Sequence, residues 1–516
     1  MGNVIVSSIT RTPVDQGGGV WGGLGAGVTP PPSGDVVYPL TYADRTKTVT
    51  VGATGAGDGS IGSPWTLAQA MTTAVAGDVV GIEAGTYIGV PTFPASGSRY
   101  KPVFEPANSG TALNPIVFIA ENLAYNNTTG LSDIRTGVFS IADGNTGDPV
   151  SALFQPVMGG NNKDYIHWVG LFSDASNTNN RVRADCGNIT HWNSVGCIVA
   201  NCKLLGAEAA YYTVQNVGSS PDNNFSGVRA EDTSGIEIYG NHFEQFSLSD
   251  TEGSGGNMSA VLTYKSDLLD IHHNTSYTCG NAWQPKGSVG TYDNEACKFY
   301  NNFVDNCSHM VRAHALHQLT NLIHNNIHSN ANGPLFSTNT SGGAIQQNDI
   351  RLFNNTLSPK DQNMTSGVLG LQFLSVDWQN AVGAVDTINN AMFNNILYEP
   401  RFHLSSTEFT GNDITTWTNF ADYDYNCVYG ATFGVSIPPA TTLTFANWQA
   451  TSGEDANSTT TDPLFVSATD FHLQAGSPAL TGGNDIYNFY GGGAGSTIPQ
   501  GAYVTGTEQI GNGVTI

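Results

Sequence analysis

The sequence predicts an all-β solenoid, and three observations carry that prediction. A short phrase recurs: an apolar residue, two variable positions, then asparagine. It occurs at 198–201, 238–241, 271–274, 299–302, 323–326, 352–355 and 392–395, so successive asparagines lie 40, 33, 28, 24, 29 and 40 residues apart. The shortest spacing suits one turn of a wide coil, and the longer ones suit the same turn with an inserted loop. Charged residues make up only 12% of the chain, while Gly numbers 61, a composition that favours turns and strands over helices. Finally, apolar residues return at strand positions throughout the repeats, and each such strand buries its apolar face by stacking on the next. At 516 residues the chain is long for one ordinary domain, but a solenoid grows by adding turns.

The N-terminal 1–40 are Gly- and Pro-rich without a clear period and read as an arm, an attachment segment or an oligomer contact. Residues 66–76 form the one convincing amphipathic helix, with Leu67, Ala70, Met71 and Val75 on one face and Gly77-Asp78 ending it. Such a helix is expected to cap the open end of the stack, where core and strand edges would otherwise be exposed. Residues 79–82 and 86–88 read as strands of the first coil. The coils are regular from Tyr165 to about Tyr398, with inserts near 206–228, 247–258 and 358–385 that are expected to wall a groove. Residues 400–460 look irregular, 461–480 read as a closing coil, and 483–516 form a Gly-rich tail or contact after a coil domain at 41–482.

Charge and cysteine usage bound the function. The net charge is −24, from 18 basic and 42 acidic residues. That argues against a nucleic-acid partner, and an acidic polymer would need local cations to bind. Seven cysteines at 186, 197, 202, 279, 297, 307 and 427 lack the spacing of a zinc site or a disulfide framework. Cys279 and Cys307 are expected in the core. No apolar run reaches membrane-spanning length. The N-terminus lacks the basic and apolar regions of a secretory signal, so the reading is of an extracellular or virion-associated protein exported by another route, such as lysis.

The opening phrase GSPWTLAQAMTTAVAGDVVGIEAGTY, the repeated asparagine phrase and the closing phrase DPLF…DFHLQAGSPAL resemble the right-handed parallel β-helix proteins of the pectin-lyase superfamily. The resemblance covers about 41–482. It implies a right-handed parallel β-helix and a polysaccharide partner. Within the repeats, VLTYKSD (261–267) and WQPKG (283–287) are similar to polysaccharide lyase family 6, the chondroitinase B and alginate lyase group. Lys265 and Ser266 match that family's base phrase. Lys286 stands where the family has Arg. The stretch upstream of Lys265, where the family carries acidic calcium ligands, has none.

Counting from each asparagine gives two polar columns. Nine residues before lie Asp232, Lys265, Asp293, His317 and Gln346; twelve after lie Gly253, Lys286 and His314, with Arg312 nearby. β-Elimination removes the proton α to a uronate carboxylate and expels the 4-linked oxygen. It needs a neutral base and a cation to offset the developing charge. The resemblance therefore implies Lys265 as base, Lys286 or Arg312 as clamp, and His314 or His317 as leaving-group acid. Asp232, Asp293, Trp283 and Gln284 complete the expected substrate-binding set. Lys265 between Asp232 and Asp293 reads equally as an ion-paired surface ladder, which would spoil it as a base. Asp250 and Glu252 form an alternative carboxylate pair for a hydrolase. Glu231 and Asp232 leave Ca²⁺ open as a cofactor. A tailspike-type depolymerase, which by family analogy is a homotrimer, and a non-catalytic receptor-binding protein of the same fold both fit the ends of the chain.

Overall fold

The computed structural model describes residues 38–89, 102–121, 138–141, 157–174, 187–206, 225–249, 253, 257–286, 294–314, 316, 320–339, 350–359, 369–374, 390–398, 402–406, 421–430, 434–437, 441–504 and 510–511. Their strands build three long sheets of 12, 11 and 11 strands. In each sheet a strand pairs with its counterpart one coil away, in parallel except for the antiparallel pair Gly434–Ile437 and Thr441–Thr444 at the end of the third sheet. The chain is an all-β parallel β-helix. One coil shows the path: Ser259–Tyr264 in the third sheet, Asp270–His272 in the first and Thr275–Tyr277 in the second.

The sharp bend between the first and second sheets is where the repeated asparagine sits. Asn241, Asn274, Asn302, Asn326, Asn355, Asn395 and Asn426 form a single internal column, each 4% exposed or less. Each side-chain amide donates to the next side-chain carbonyl at 2.9–3.2 Å along the whole run. The same carbonyls accept backbone N–H groups at 2.9–3.1 Å. The amide thereby satisfies polar groups that a dry bend would otherwise strand. The column closes on Asp455, which accepts from Asn426 at 3.0 Å and from the Trp448 indole at 3.0 Å.

Asn201 is a correction. The register Lys203↔His242 puts Cys202 level with Asn241, so Asn201 stands one place earlier, at φ 52. His273, Asn301, Asn325, Asn354 and Asn394 share that left-handed position, which Asn tolerates better than most residues. Residues 400–460 also differ from expectation: Ala421–Asp424 and Cys427–Tyr429 make a further coil that carries Asn426. Segment 461–480 adds no strand to the three sheets among the described residues. It instead lays Phe465, Phe471 and Leu473 against Ile327 and Ile396.

The helix Leu67–Thr73 is shorter than expected, with Thr66 and Gln69 forming its capping box. The chain leaves the helix at Ala74 in an extended conformation, so Ala74 takes the buried place and Val75 is 53% exposed. The core runs down the inside of the coils, with ring stacks such as Phe118–Trp168 and Trp283–Phe299. Cys279 and Cys307 lie in that core, as expected. Outside, the C-terminal segment runs back along the left-handed column. Asn484 meets Asn394, Gly501 meets Asn354, Ala502 meets Asn325 and Gly511 meets Asn301.

Candidate functional site

The third sheet carries the polar groups. Its inward residues Val228, Val261, Trp283 and Val311 are in register and belong to the core. Alternation along the strand sends the intervening residues to the outer face. One outward row holds Arg229, Leu262, Gln284 and Arg312; the next holds Trp192, Glu231, Tyr264 and Lys286, with His314 beyond. Adjacent members of a row are separated by about 4.8 Å, the strand spacing.

Contacts tie these rows together. Arg229 Nη2 donates to Glu231 Oε2 at 2.8 Å and its Nε donates at 3.2 Å, both groups being buried. The Arg229 guanidinium lies 5.0 Å from the Tyr264 ring centre, and Lys286 Nζ lies 5.8 Å from the same centre. Gln284 donates from Nε2 to His314 Nε2 at 3.1 Å and accepts from the Ser259 hydroxyl at 3.0 Å. Burial, with Lys286 and Arg312 adding repulsion, holds His314 well below the usual imidazole range. It is neutral, and with Nε2 accepting, its proton sits on Nδ1. Burial pulls Arg312 down to about 10, which leaves it charged at neutral pH. Arg229, paired with Glu231, shares this face with Lys286 and Arg312.

Several expected roles change. Trp283 is fully buried, stacked on Phe299 and donating to the Thr263 hydroxyl at 3.2 Å. It packs the core and offers no ring to a ligand. Lys265 sits at φ 44 just past the strand, its Nζ 2.8 Å from Asp232 Oδ1 and its side chain 58% exposed. That pair favours the ammonium over the neutral amine a base requires. A neutral His314 lacks the imidazolium of a strong leaving-group acid. Glu231 and Asp232 are each held by a cation, and among the described residues no group of three His, Cys, Asp or Glu is arranged to hold a metal. Asp293, His317, Gln346, Asp250 and Glu252 lie outside the described residues, as does most of the three expected wall inserts. The parts that are described run along the junction of the second and third sheets: Asn257 accepts from Gln284 at 3.3 Å, and Gly253 N donates to Asn306 O at 2.7 Å.

Arg229 and Tyr264 were missed by counting from the asparagines. The usable signal is strand alternation in SGVRAE and SAVLTY, which places both on the face opposite Val228 and Val261.

No family model matches the sequence, and no curated protein matches it. Among solved structures, pectate lyase Pel9A aligns with 12% identity over 90% of this chain and 97% of its own, at TM-score 0.42. A rhamnogalacturonan lyase aligns with 12% identity over 82% and 91%, at 0.34. A PL6 family polysaccharide lyase of Pseudopedobacter saltans aligns with 12% identity over 79% and 97%, at 0.29. The fold assignment rests on this chain's own three parallel sheets, and any chemistry rests on its own side chains.

Proposed function

We propose that the outer face of the third sheet binds an acidic polysaccharide and cleaves it by β-elimination. The observation that carries this reading is the set of three cations, Arg229, Lys286 and Arg312, gathered on neighbouring coils of a chain with net charge −24. Glu231 pairs with Arg229, and Lys286 and Arg312 on the coils that follow supply positive charge to meet a substrate carboxylate. Those two would also offset the charge that builds on the carboxylate as the α-proton leaves. Gln284, buried and held by Ser259, Asn257 and His314, keeps the neutral imidazole in place beside them.

The finer reading is a depolymerase working outside the cell or on a virion, assembled as a homotrimer; particle mass in solution tests the assembly. For the chemistry, the protein is incubated with a panel of uronate polymers and the ultraviolet absorbance of unsaturated uronate is followed. The expected result is absorbance growth on at least one polymer, lowered at least tenfold in Lys286→Ala and Arg312→Ala. Binding without new absorbance would overturn elimination and support a receptor-binding protein. New reducing ends without absorbance would point to hydrolysis.

A further inference from the structure

We propose that Cys279 and Cys307 are the site of a disulfide cross-link between two successive coils. The register is continuous on both sides of the pair. Tyr277 pairs with Asp305 two residues before it, and Asn281 pairs with His309 two residues after it, so Cys279 and Cys307 stand level. Thr278 and Asn306, the residues just before them, share a left-handed bend at φ 51 and 52. The Asn306 amide donates to the Thr278 hydroxyl at 3.1 Å, which holds the two bends together. Level residues on adjacent coils lie about 4.8 Å apart, inside the Cα range of about 4.4–6.8 Å that a disulfide spans. Both side chains belong to the core. The Cys307 sulfur accepts the Cys279 backbone N–H at 3.3 Å, so it leans toward its partner's coil. The other described cysteines stand apart. Cys197 and Cys297 share a column but have Ile236 and Leu269 between them, Cys202 is level with Asn241, and Cys427 is level with Ile396.

The place of the pair gives the bond a use. Cys279 leads into the strand Asn281–Lys286 and Cys307 into the strand His309–Ala313, which carry Lys286 and Arg312. A cross-link there fixes the spacing of these two strands at their root, whether or not the outer face cleaves a polymer. Gly253 packs so closely on the Cys279 carbonyl and the Cys307 backbone that no side chain would fit between them. Burial, with the Cys279 thiol adding to it, holds Cys307 well above the usual thiol range. Thiols so enclosed react slowly, so the bond forms while the coils are still closing. The oxidant is a small-molecule disulfide such as glutathione disulfide. One cysteine thiolate attacks it and forms a mixed disulfide, expelling a first glutathione thiolate. The second cysteine thiolate attacks the protein sulfur of that mixed disulfide and expels the second. Two cysteine thiols are oxidised, one glutathione disulfide is reduced to two glutathione thiols, and the two cysteine protons end on those thiols.

The test is to synthesise the full chain in two cell-free reactions, one buffered with glutathione and glutathione disulfide and one with dithiothreitol. Each product is alkylated in denaturant and mapped by mass spectrometry. The oxidised product is expected to yield one peptide pair linked through Cys279 and Cys307, with both cysteines protected from alkylation. The reduced product is expected to have all seven cysteines alkylated. The oxidised product should also melt at least about 2 °C higher than the reduced one, and the two products of Cys307→Ala should melt together. If Cys307→Ala does not fold, Cys279→Ala takes its place, and the wild-type peptide map decides the bond without either variant. Alkylation of Cys279 and Cys307 in the oxidised product, or linkage of either to a different cysteine, overturns the assignment. A linked pair with no gain in melting temperature overturns its role as a staple.

Discussion

Removing one member of the internal asparagine column should cost far more than the size of the side chain suggests. Asn302 is 1% exposed and takes part in four side-chain hydrogen bonds. Its carbonyl accepts the Asn274 backbone N–H at 3.0 Å and the Asn274 amide at 3.1 Å. Its amide donates to Ile271 O at 3.1 Å and to Asn326 Oδ1 at 3.0 Å. In Asn302→Ala the Asn274 amide keeps its bond to Ile238 O, and Asn326 Oδ1 keeps the Asn302 backbone N–H. The Asn274 N–H and the Ile271 carbonyl lose their partners on this side. At about 1–3 kcal/mol for each of the two buried groups so orphaned, the expected loss is about 2–6 kcal/mol. The matched control is Asn201→Gly. Asn201 has the same sequence context but lies outside the column and accepts a long 3.4 Å bond from Tyr38 N; glycine keeps its left-handed backbone, and the loss should stay below that of Asn302→Ala. Urea midpoints at constant slope give both numbers. Equal losses in the two variants, or a loss below about 1 kcal/mol in Asn302→Ala, would refute the column as a hydrogen-bonded spine.

Acid should destabilise the fold before its carboxylates protonate. Burial holds His167 and His328 at about 4 and His191, His273 and His324 at about 3. Below an ordinary imidazole value near 6.5 the unfolded chain binds protons that the fold refuses, so urea midpoints should fall from about pH 6.5 downward; flat midpoints between pH 6.5 and 5 would contradict the buried placement. Glu454 acts in the opposite direction. Burial and the neighbouring Asp422, Asp455 and Asp424 push it up to about 7, against the bond from Tyr423 N. Its raised value means stability is fully present below about pH 4.5 and is lost as pH rises toward 7. Glu454→Gln should therefore gain about 1–2 kcal/mol at pH 8 over its effect at pH 4.5, discounted for partial exposure, and an equal effect at both pH values would exclude it.

The fold was legible because its determinants are periodic. Asparagine at the bend and apolar residues before it mark each coil, whatever the loop lengths between. The site was legible only where chain length between two columns is constant. From Asn274 to Lys286 and from Asn302 to His314 the chain covers the same 12 residues, and both residues do lie in one outward row. The same count from Asn241 reaches Gly253, which belongs to an insert and packs against the Cys279 carbonyl and the backbone of Cys307 and Ser308. Counting was also blind to direction. Trp283 and Gln284 are neighbours in sequence, yet one faces the core and the other the outer face, because a strand alternates. Asn201 failed for a related reason: the one-residue offset between the bend column and its left-handed neighbour cannot be seen when both positions favour asparagine.

The electrostatics of the outer face explain why a chain so acidic would keep these cations. Its 42 acidic residues against 18 basic ones repel a polyanion from the chain as a whole. Exposed lysines would give little against that field, since solvent screens them. Arg229 is 2% exposed and Arg312 is half-buried, where the lower dielectric makes each charge count for more. Burying them costs desolvation, and Glu231 offsets part of it for Arg229. Lys286 and Arg312 lie near Gln284 and a neutral imidazole that adds no charge of its own. On the proposed function, a polymer carrying a carboxylate on each sugar would gain most by docking there. A neutral glycan gains nothing from the pair. Discrimination for acidic over neutral polymers should therefore depend on Lys286 and Arg312 together, and should weaken with salt less than an exposed pair would allow.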